Sequence, residues 1–199
     1  MNNSINLLIL ITIFLVGCQQ KETITPENTE KYKGYSSYRK VYDLHTLANY
    51  QEGLACAKKS NLPLFLQFTG HGCVGYDEFQ HHLIKSKKIR KTLNNNFITV
   101  ILYVDDRREL ENLDQIYELG LSEESIESIE NKKKIGTLNA RIQVEKFQSN
   151  SQPLYVLMTD EAKEIIKPFG RTKDETFFLD KLNEGLNEFK LINVSDFLN

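Results

Sequence analysis

The chain has no tryptophan, two methionines, four prolines and three cysteines among its 199 residues. Each shortage closes off a class of protein. Three cysteines cannot staple a small disulfide scaffold. With no Trp, the aromatic content of any core falls on eleven Phe and nine Tyr. Neither sign of charge is in excess, since 25 Lys and Arg face 27 Asp and Glu for a net charge of −2. The two signs are interspersed and form no basic stripe that would neutralise phosphates, so there is no electrostatic case for a nucleic-acid partner. The apolar run Leu7 to Val16, interrupted only by Thr12, is far short of the roughly 20 residues that span a bilayer as a helix.

What is present fits one globular domain with a sizeable core plus a tail. Hydrophobic residues make up 40% and charged residues 26%, an ordinary soluble balance. The apolar run ends in Leu15-Val16-Gly17-Cys18, which resembles the lipobox of bacterial lipoproteins. That resemblance implies that residues 1–17 are a signal peptide, and that Cys18 becomes an acylated first residue carrying palmitate-type chains. Two or more chains anchor a protein stably without a spanning helix. The location implied is the bacterial cell envelope, on a membrane and facing the periplasm or the exterior. An ordinary secretory signal cut near the same place is the alternative, and the only positive charge from Met1 to Asn6 is the α-amino group. With Cys18 committed to lipid, Cys56 and Cys73 could form at most one bridge.

Residues 18–42 read as lipid anchor and polar tether, with Pro26, Asn28 and Gly34 and no hydrophobic period. Residues 43–199 read as the folded domain. Leu44, Leu47, Ala48, Leu54, Ala55 and Ala57 have helical spacing with Asp43 as N-cap, ending at Asn61 and Pro63. Leu64 to Phe68 is a short apolar strand, and Gly70 and Gly72 then mark a tight turn. A helix is expected from near Val74 through Lys85, breaking at Ser86 and resuming to Leu93. Phe97 to Val104 is the strongest strand and fits an interior position covered on both faces. Asp105 to Ile135 reads as a solvated excursion with weak helical content. Asn139 to Phe147 is a helix, Leu154 to Met158 a strand, and Glu164 to Phe169 a return strand. Thr176 to Phe189 closes the chain as an amphipathic helix with Phe177, Phe178, Leu179, Leu182, Leu186 and Phe189 as its stripe. This order predicts an α/β architecture with a mixed sheet covered on both sides.

The stretch Phe68-Thr69-Gly70-His71-Gly72-Cys73-Val74 resembles the strand-to-active-site junction of the thioredoxin superfamily. It is most similar to the C-terminal soluble domain of the membrane-embedded thiol:disulfide interchange reductase. Tyr103-Val104-Asp105-Asp106 agrees with the end of that domain's second strand. Ser151-Gln152-Pro153-Leu154-Tyr155-Val156-Leu157 agrees with its cis-proline loop and third strand. The similarity covers roughly Asp43 to Phe189. It implies a thioredoxin-like three-layer fold, with a central mixed β-sheet flanked by helices. Cys73 would be the attacking thiol at a helix N-terminus, and Pro153 the cis-proline facing it. A helix start favours thiolate over thiol, and a cis X-Pro bond leaves a backbone edge for a partner's extended chain.

The departure from the family pattern is Tyr76, which stands where the second cysteine would be. A lone Cys73 can form a mixed disulfide but cannot resolve it internally, so turnover requires an external thiol. The implied activity is that of a monothiol thiol-disulfide oxidoreductase acting on extracytoplasmic protein thiols or disulfides, or on small thiols, without a cofactor. A non-catalytic binding module using the same groove is one alternative. A redox-sensing thiol that cycles through sulfenic acid or a mixed disulfide is another. His71 and Tyr76 are candidates for supporting the sulfur. Cys56 lies on the helix before the first apolar strand, too far to resolve Cys73, and fits a buried apolar role. His81 and His82 are adjacent on a helix and point about 100° apart, so no metal site is expected.

Overall fold

Apolar side chains on both faces of a strand demand cover on both sides. In the computed structural model, which describes residues 27–73 and 82–198, that demand organises the molecule. The elements in chain order are α1 (Glu27–Glu30), β1 (Arg39–Val41), β2 (Leu44–Thr46), α2 (Tyr50–Ser60) and β3 (Leu64–Thr69). There follow α3 (Lys87–Asn96), β4 (Ile98–Tyr103), α4 (Asp114–Tyr117), α5 (Glu123–Lys132), α6 (Ile135–Phe147), β5 (Leu154–Met158) and α7 (Glu175–Leu198). All six residues of β3 are buried. It pairs in parallel with β4 and antiparallel with β5, giving the sheet order β4-β3-β5.

Alternation along β3 divides the core. Leu64, Leu66 and Phe68 face a cluster with Cys56 and Ala57 of α2, Ile129 of α5 and Leu138 and Ile142 of α6. Phe65 faces a second cluster with Ile89 and Leu93 of α3 and Phe178, Leu179 and Leu182 of α7. The result is three layers, helices on a mixed sheet on helices, as the sequence led us to expect. Cys56 is fully buried and donates its thiol hydrogen to the Lys31 carbonyl at 3.2 Å. Burial pushes that thiol's pKa up, consistent with a packing role.

Several elements differ from the sequence reading. The helix expected from Asp43 starts at Tyr50, because Leu44, His45 and Thr46 pair with Arg39–Val41 in an antiparallel hairpin. Tyr42 supplies the turn at φ 54°, and Asn49, not Asp43, is the N-cap, accepting from the Glu52 N–H. The part of the proposed tether beyond residue 30 is packed onto the domain. Tyr32 is buried and its hydroxyl accepts from the Thr99 N–H, while the Lys31 ammonium donates to the carbonyls of Asn94 and Phe97.

The interior strand is β3, not β4. The outer edge of β4 is covered by Leu47, which bonds to Thr99 O and accepts from the Ile101 N–H. The charged excursion contains a ten-residue helix, α5, capped by the Ser122 hydroxyl and carrying fully buried Ile129. The return segment touches β5 at two bridges only, Glu164 with Met158 and Phe169 with Tyr155. Between the paired ends it has more residues than β5 does, and Pro168 has no N–H to donate, so a continuous ladder cannot form. The last helix runs on to Leu198, and Phe177 of its expected stripe is 42% exposed.

The hairpin region is held by the Glu52 carboxylate, which accepts from the Ser36 N–H (3.1 Å) and hydroxyl (2.7 Å), the Ser37 N–H (2.9 Å) and the Ser37 hydroxyl. Burial opposes ionisation here, but these four donors outweigh it and hold the carboxyl below its usual range. Because the folded value is depressed, the contribution is present above the unfolded value of roughly 4.3 and is lost as pH falls through the folded value. Glu52→Ala is expected to lower stability by about 2 kcal/mol at neutral pH. Its acid limb should be shallower than wild type in urea titrations monitored by circular dichroism.

Candidate functional site

Three loops meet at one end of the sheet, and the strand registers place them there. Thr69 is opposite Tyr103 across β3/β4, and Phe68 is opposite Leu154 across β3/β5. The turn Gly70–Cys73, the loop after Tyr103 and Pro153 therefore lie together at the carboxyl ends of β3 and β4, where open α/β sheets bind ligands. The Cys73 N–H bonds to Gly70 O at 3.0 Å, closing a tight turn. Cys73 is a free thiol and is partly exposed. The Gln152–Pro153 bond is cis and Pro153 is buried.

Asp105 organises the turn. One carboxylate oxygen accepts from the His71 N–H at 2.8 Å and the other from the Gly72 N–H at 3.3 Å. Glycine at position 70 eases that approach, because a Cβ there would stand a tight 3.1 Å from the same carboxylate. The His71 ring stacks on Tyr103, with centroids 4.1 Å apart and planes 10° from parallel. His71 is thus held over β4 by its ring and over Asp105 by its backbone. Tyr76 and His81 lie outside the described residues, as does Cys18, while His82 is exposed.

The neighbouring Asp106 is buried and pairs with Arg108, whose Nε lies 3.1 Å from both carboxylate oxygens and whose Nη2 lies 2.6 Å from Oδ2. Burial works against the charge on Asp106, but the Arg108 side-chain and backbone donors and the nearby His71 prevail and hold its pKa down. His71, Gly72, Asp105, Arg107 and Arg108 line a cleft of about 750 Å³ beside the turn.

Helix α6 fixes two of the three loops, and none of its relevant residues was identified from the sequence. The Gly136 N–H donates to Asp106 O at 3.0 Å, and the Asn139 amide donates to Tyr103 O at 2.9 Å. One turn further along, the buried Gln143 amide donates to Ser151 O at 2.8 Å, while its oxygen accepts from the Gln152 amide at 2.9 Å. Polar residues on an apolar helix face were the available signal for Asn139 and Gln143. Beneath the turn, Gln67 and Thr69 are fully buried on the sheet face opposite Phe68. Their side-chain polar atoms have no hydrogen-bond partner among the described residues.

Among the described residues no helix is long and apolar enough to cross a membrane. No family model and no curated protein matches the chain. Solved structures do match. A protein described as DsbH oxidoreductase is similar over 72% of this chain and 85% of its own, at 16% identity and a TM-score of 0.51. A thioredoxin from Thermus thermophilus is similar over 69% of this chain and 83% of its own, at 14% identity and a TM-score of 0.46. With the three-layer architecture and the mixed sheet, the first likeness establishes a thioredoxin-like α/β fold.

Proposed function

We propose that this chain is an exported, lipid-anchored thiol carrier in which Cys73 exchanges disulfides with extracytoplasmic proteins or small thiols. The observation that carries the reading is the placement of a free, partly exposed Cys73 at the same sheet end as the cis Gln152–Pro153 bond. An exposed sulfur can reach a partner's disulfide, and the backbone edge beside a cis-proline can hold that partner's extended chain. The Cys73 thiolate attacks one sulfur of the partner, forming a mixed disulfide and releasing the other partner sulfur, which takes up a proton. A second, external thiol then attacks the mixed disulfide. Cys56 cannot serve as that thiol, since it is buried in the cluster on the α2 side of the sheet. The lipobox-like Leu15-Val16-Gly17-Cys18 supports acylation of Cys18 and a position on an envelope membrane.

The test is mass spectrometry of the protein from native membranes whose thiols have been acid-quenched and alkylated. The expected result is Cys73 in mixed disulfides with proteins or small thiols, and a mature N-terminus at diacylated Cys18. Partners that persist unchanged on Cys73→Ser would overturn exchange in favour of a binding module. A mature start elsewhere would overturn the anchor.

A further inference from the structure

Helix α7 outruns the sheet that it covers. Its Phe178 ring packs on Tyr155 of β5, with centroids 5.3 Å apart. Further along, Gly185 lies against Leu157, where a Cβ would stand 2.3 Å from Cδ1. The helix therefore runs in the direction of β5, away from the Cys73 turn and toward Met158, the last residue of that strand. From Gly185 to Leu198 it still has about 20 Å to run, while β5 has only Met158 left. Phe189 is its last buried side chain among the described residues. Beyond it Leu191 is 63% and Val194 58% exposed, the two most exposed large hydrophobics among the described residues. Scattered apolar side chains on a surface are ordinary, but these two stand one turn apart on the same side of a projecting helix end.

The folded chain begins at that same end. The Lys31 ammonium donates to the carbonyls of Asn94 and Phe97 at 2.6 and 2.9 Å, where α3 gives way to β4. The start of β4 is the end of the sheet remote from the site. Lys31 and the overhang of α7 thus share one end of the domain, and Cys73 occupies the other. Residues 19–26 join Cys18 to the start of α1 at Glu27, and fully extended they reach about 30 Å at most. An acyl chain on Cys18 therefore keeps the bilayer close to the end from which α7 projects.

We infer that the last turns of α7 dock on the bilayer surface, with Leu191 and Val194 entering the boundary between headgroups and acyl chains, so that the Cys73 end faces away from the membrane. The inference rests on the lipid-anchor part of the reading above and asks nothing of the exchange chemistry. Two short apolar side chains would hold a free protein to a membrane only weakly. Here the tether already supplies a high local concentration of lipid, so a weak contact suffices to set orientation. The contact is apolar and needs no anionic lipid.

The chain has no tryptophan, so single-tryptophan variants report on their own positions. Leu191→Trp, Asn193→Trp and Phe177→Trp are made in the full chain and purified from membranes. Acylation of Cys18 is checked by mass spectrometry, and each is reconstituted into phosphatidylcholine vesicles with or without bromine on the acyl chains. Asn193 is exposed and lies about 200° round the helix from Leu191, while Phe177 is 42% exposed near the start of α7. Brominated lipid should remove most of the Leu191→Trp emission, little of that from Asn193→Trp and none from Phe177→Trp. The pattern should persist in about 1 M salt, where the screening length is about 3 Å. Adding Val194→Asp to Leu191→Trp should restore the emission. Quenching of Leu191→Trp no greater than that of Phe177→Trp overturns the docking and leaves the anchor standing. So does equal quenching at positions 191 and 193, which marks insertion by the introduced indole alone. A dimer of the Cys18→Ser chain in water, with Leu191→Trp emission already shifted to the blue, assigns the face to a second copy and also overturns the docking. A chain without an acyl group on Cys18 overturns both docking and anchor.

Discussion

Replacing Phe65 with alanine is expected to lower stability by about 4 kcal/mol, the central value for removing a fully buried phenylalanine ring. Phe65 lies in the middle layer with no exposed surface. Its ring is 5.8 Å from the rings of Tyr155 on β5 and Phe178 on α7, so one side chain joins the central strand, its antiparallel neighbour and the closing helix. Little can collapse into the space left behind, because both neighbours sit on elements fixed elsewhere: β5 by its register with β3, and α7 by Leu179 and Leu182. For a domain with total stability of roughly 5–15 kcal/mol, the loss is a large fraction. The midpoint of thermal unfolding should drop by about 10 °C. Phe177→Ala, one residue before Phe178 and 42% exposed, should cost under about 1 kcal/mol. Similar losses for the two variants, measured by guanidinium titration, would contradict the full burial of Phe65 against the exposure of Phe177.

The sheet was legible in the sequence because it is written in neighbouring residues. Leu64 to Thr69 and Ile98 to Tyr103 are mostly apolar runs, and Gly70, Gly72 and Cys73 follow one of them directly. The likeness of those residues to a thioredoxin-type junction led to the fold that the structure has. What went unread depends on distant partners. Leu44, Leu47 and Ala48 carry a helical spacing, but Leu44–Thr46 pairs with Arg39–Val41 and Leu47 completes the edge of β4. Tertiary pairing overrides a short local period. The run Glu123, Glu124, Glu127 and Glu130 looked like a solvated excursion because its charges outnumber its apolar residues. Yet Ile126 and Ile129 suffice to seat α5 on the core, and the Ser122 cap satisfies its start. In the site, Asp105, Asn139 and Gln143 act by holding backbone atoms 33 to 36 residues away, or across the cis-proline loop. Local spacing carries no signal for such a bond.

Gly136 offers the sharpest test of how the site is held, because two ordinary expectations predict opposite signs. It occupies the first turn of α6, where alanine is favoured over glycine by about 1 kcal/mol on helix propensity alone. Packing predicts the reverse. A Cβ at this position would stand 2.5 Å from the Asp106 nitrogen and 2.8 Å from the carbonyl oxygens of both Asp106 and Val104. Those are backbone atoms, not flexible side-chain ends, so the helix must move away from the loop. That movement stretches the Gly136 N–H bond to Asp106 O and the Asn139 amide bond to Tyr103 O. With strain added to two weakened hydrogen bonds, Gly136→Ala is expected to cost about 3 kcal/mol net. The same displacement loosens the Asp105 segment, which holds the N–H groups of His71 and Gly72. Hydrogen exchange at those two amides should therefore rise more than at amides of β3, whose ladder does not involve α6. An alanine variant that is as stable as wild type, or more so, would show that helix and loop do not approach this closely. The turn bearing Cys73 would then owe its shape to Asp105 alone.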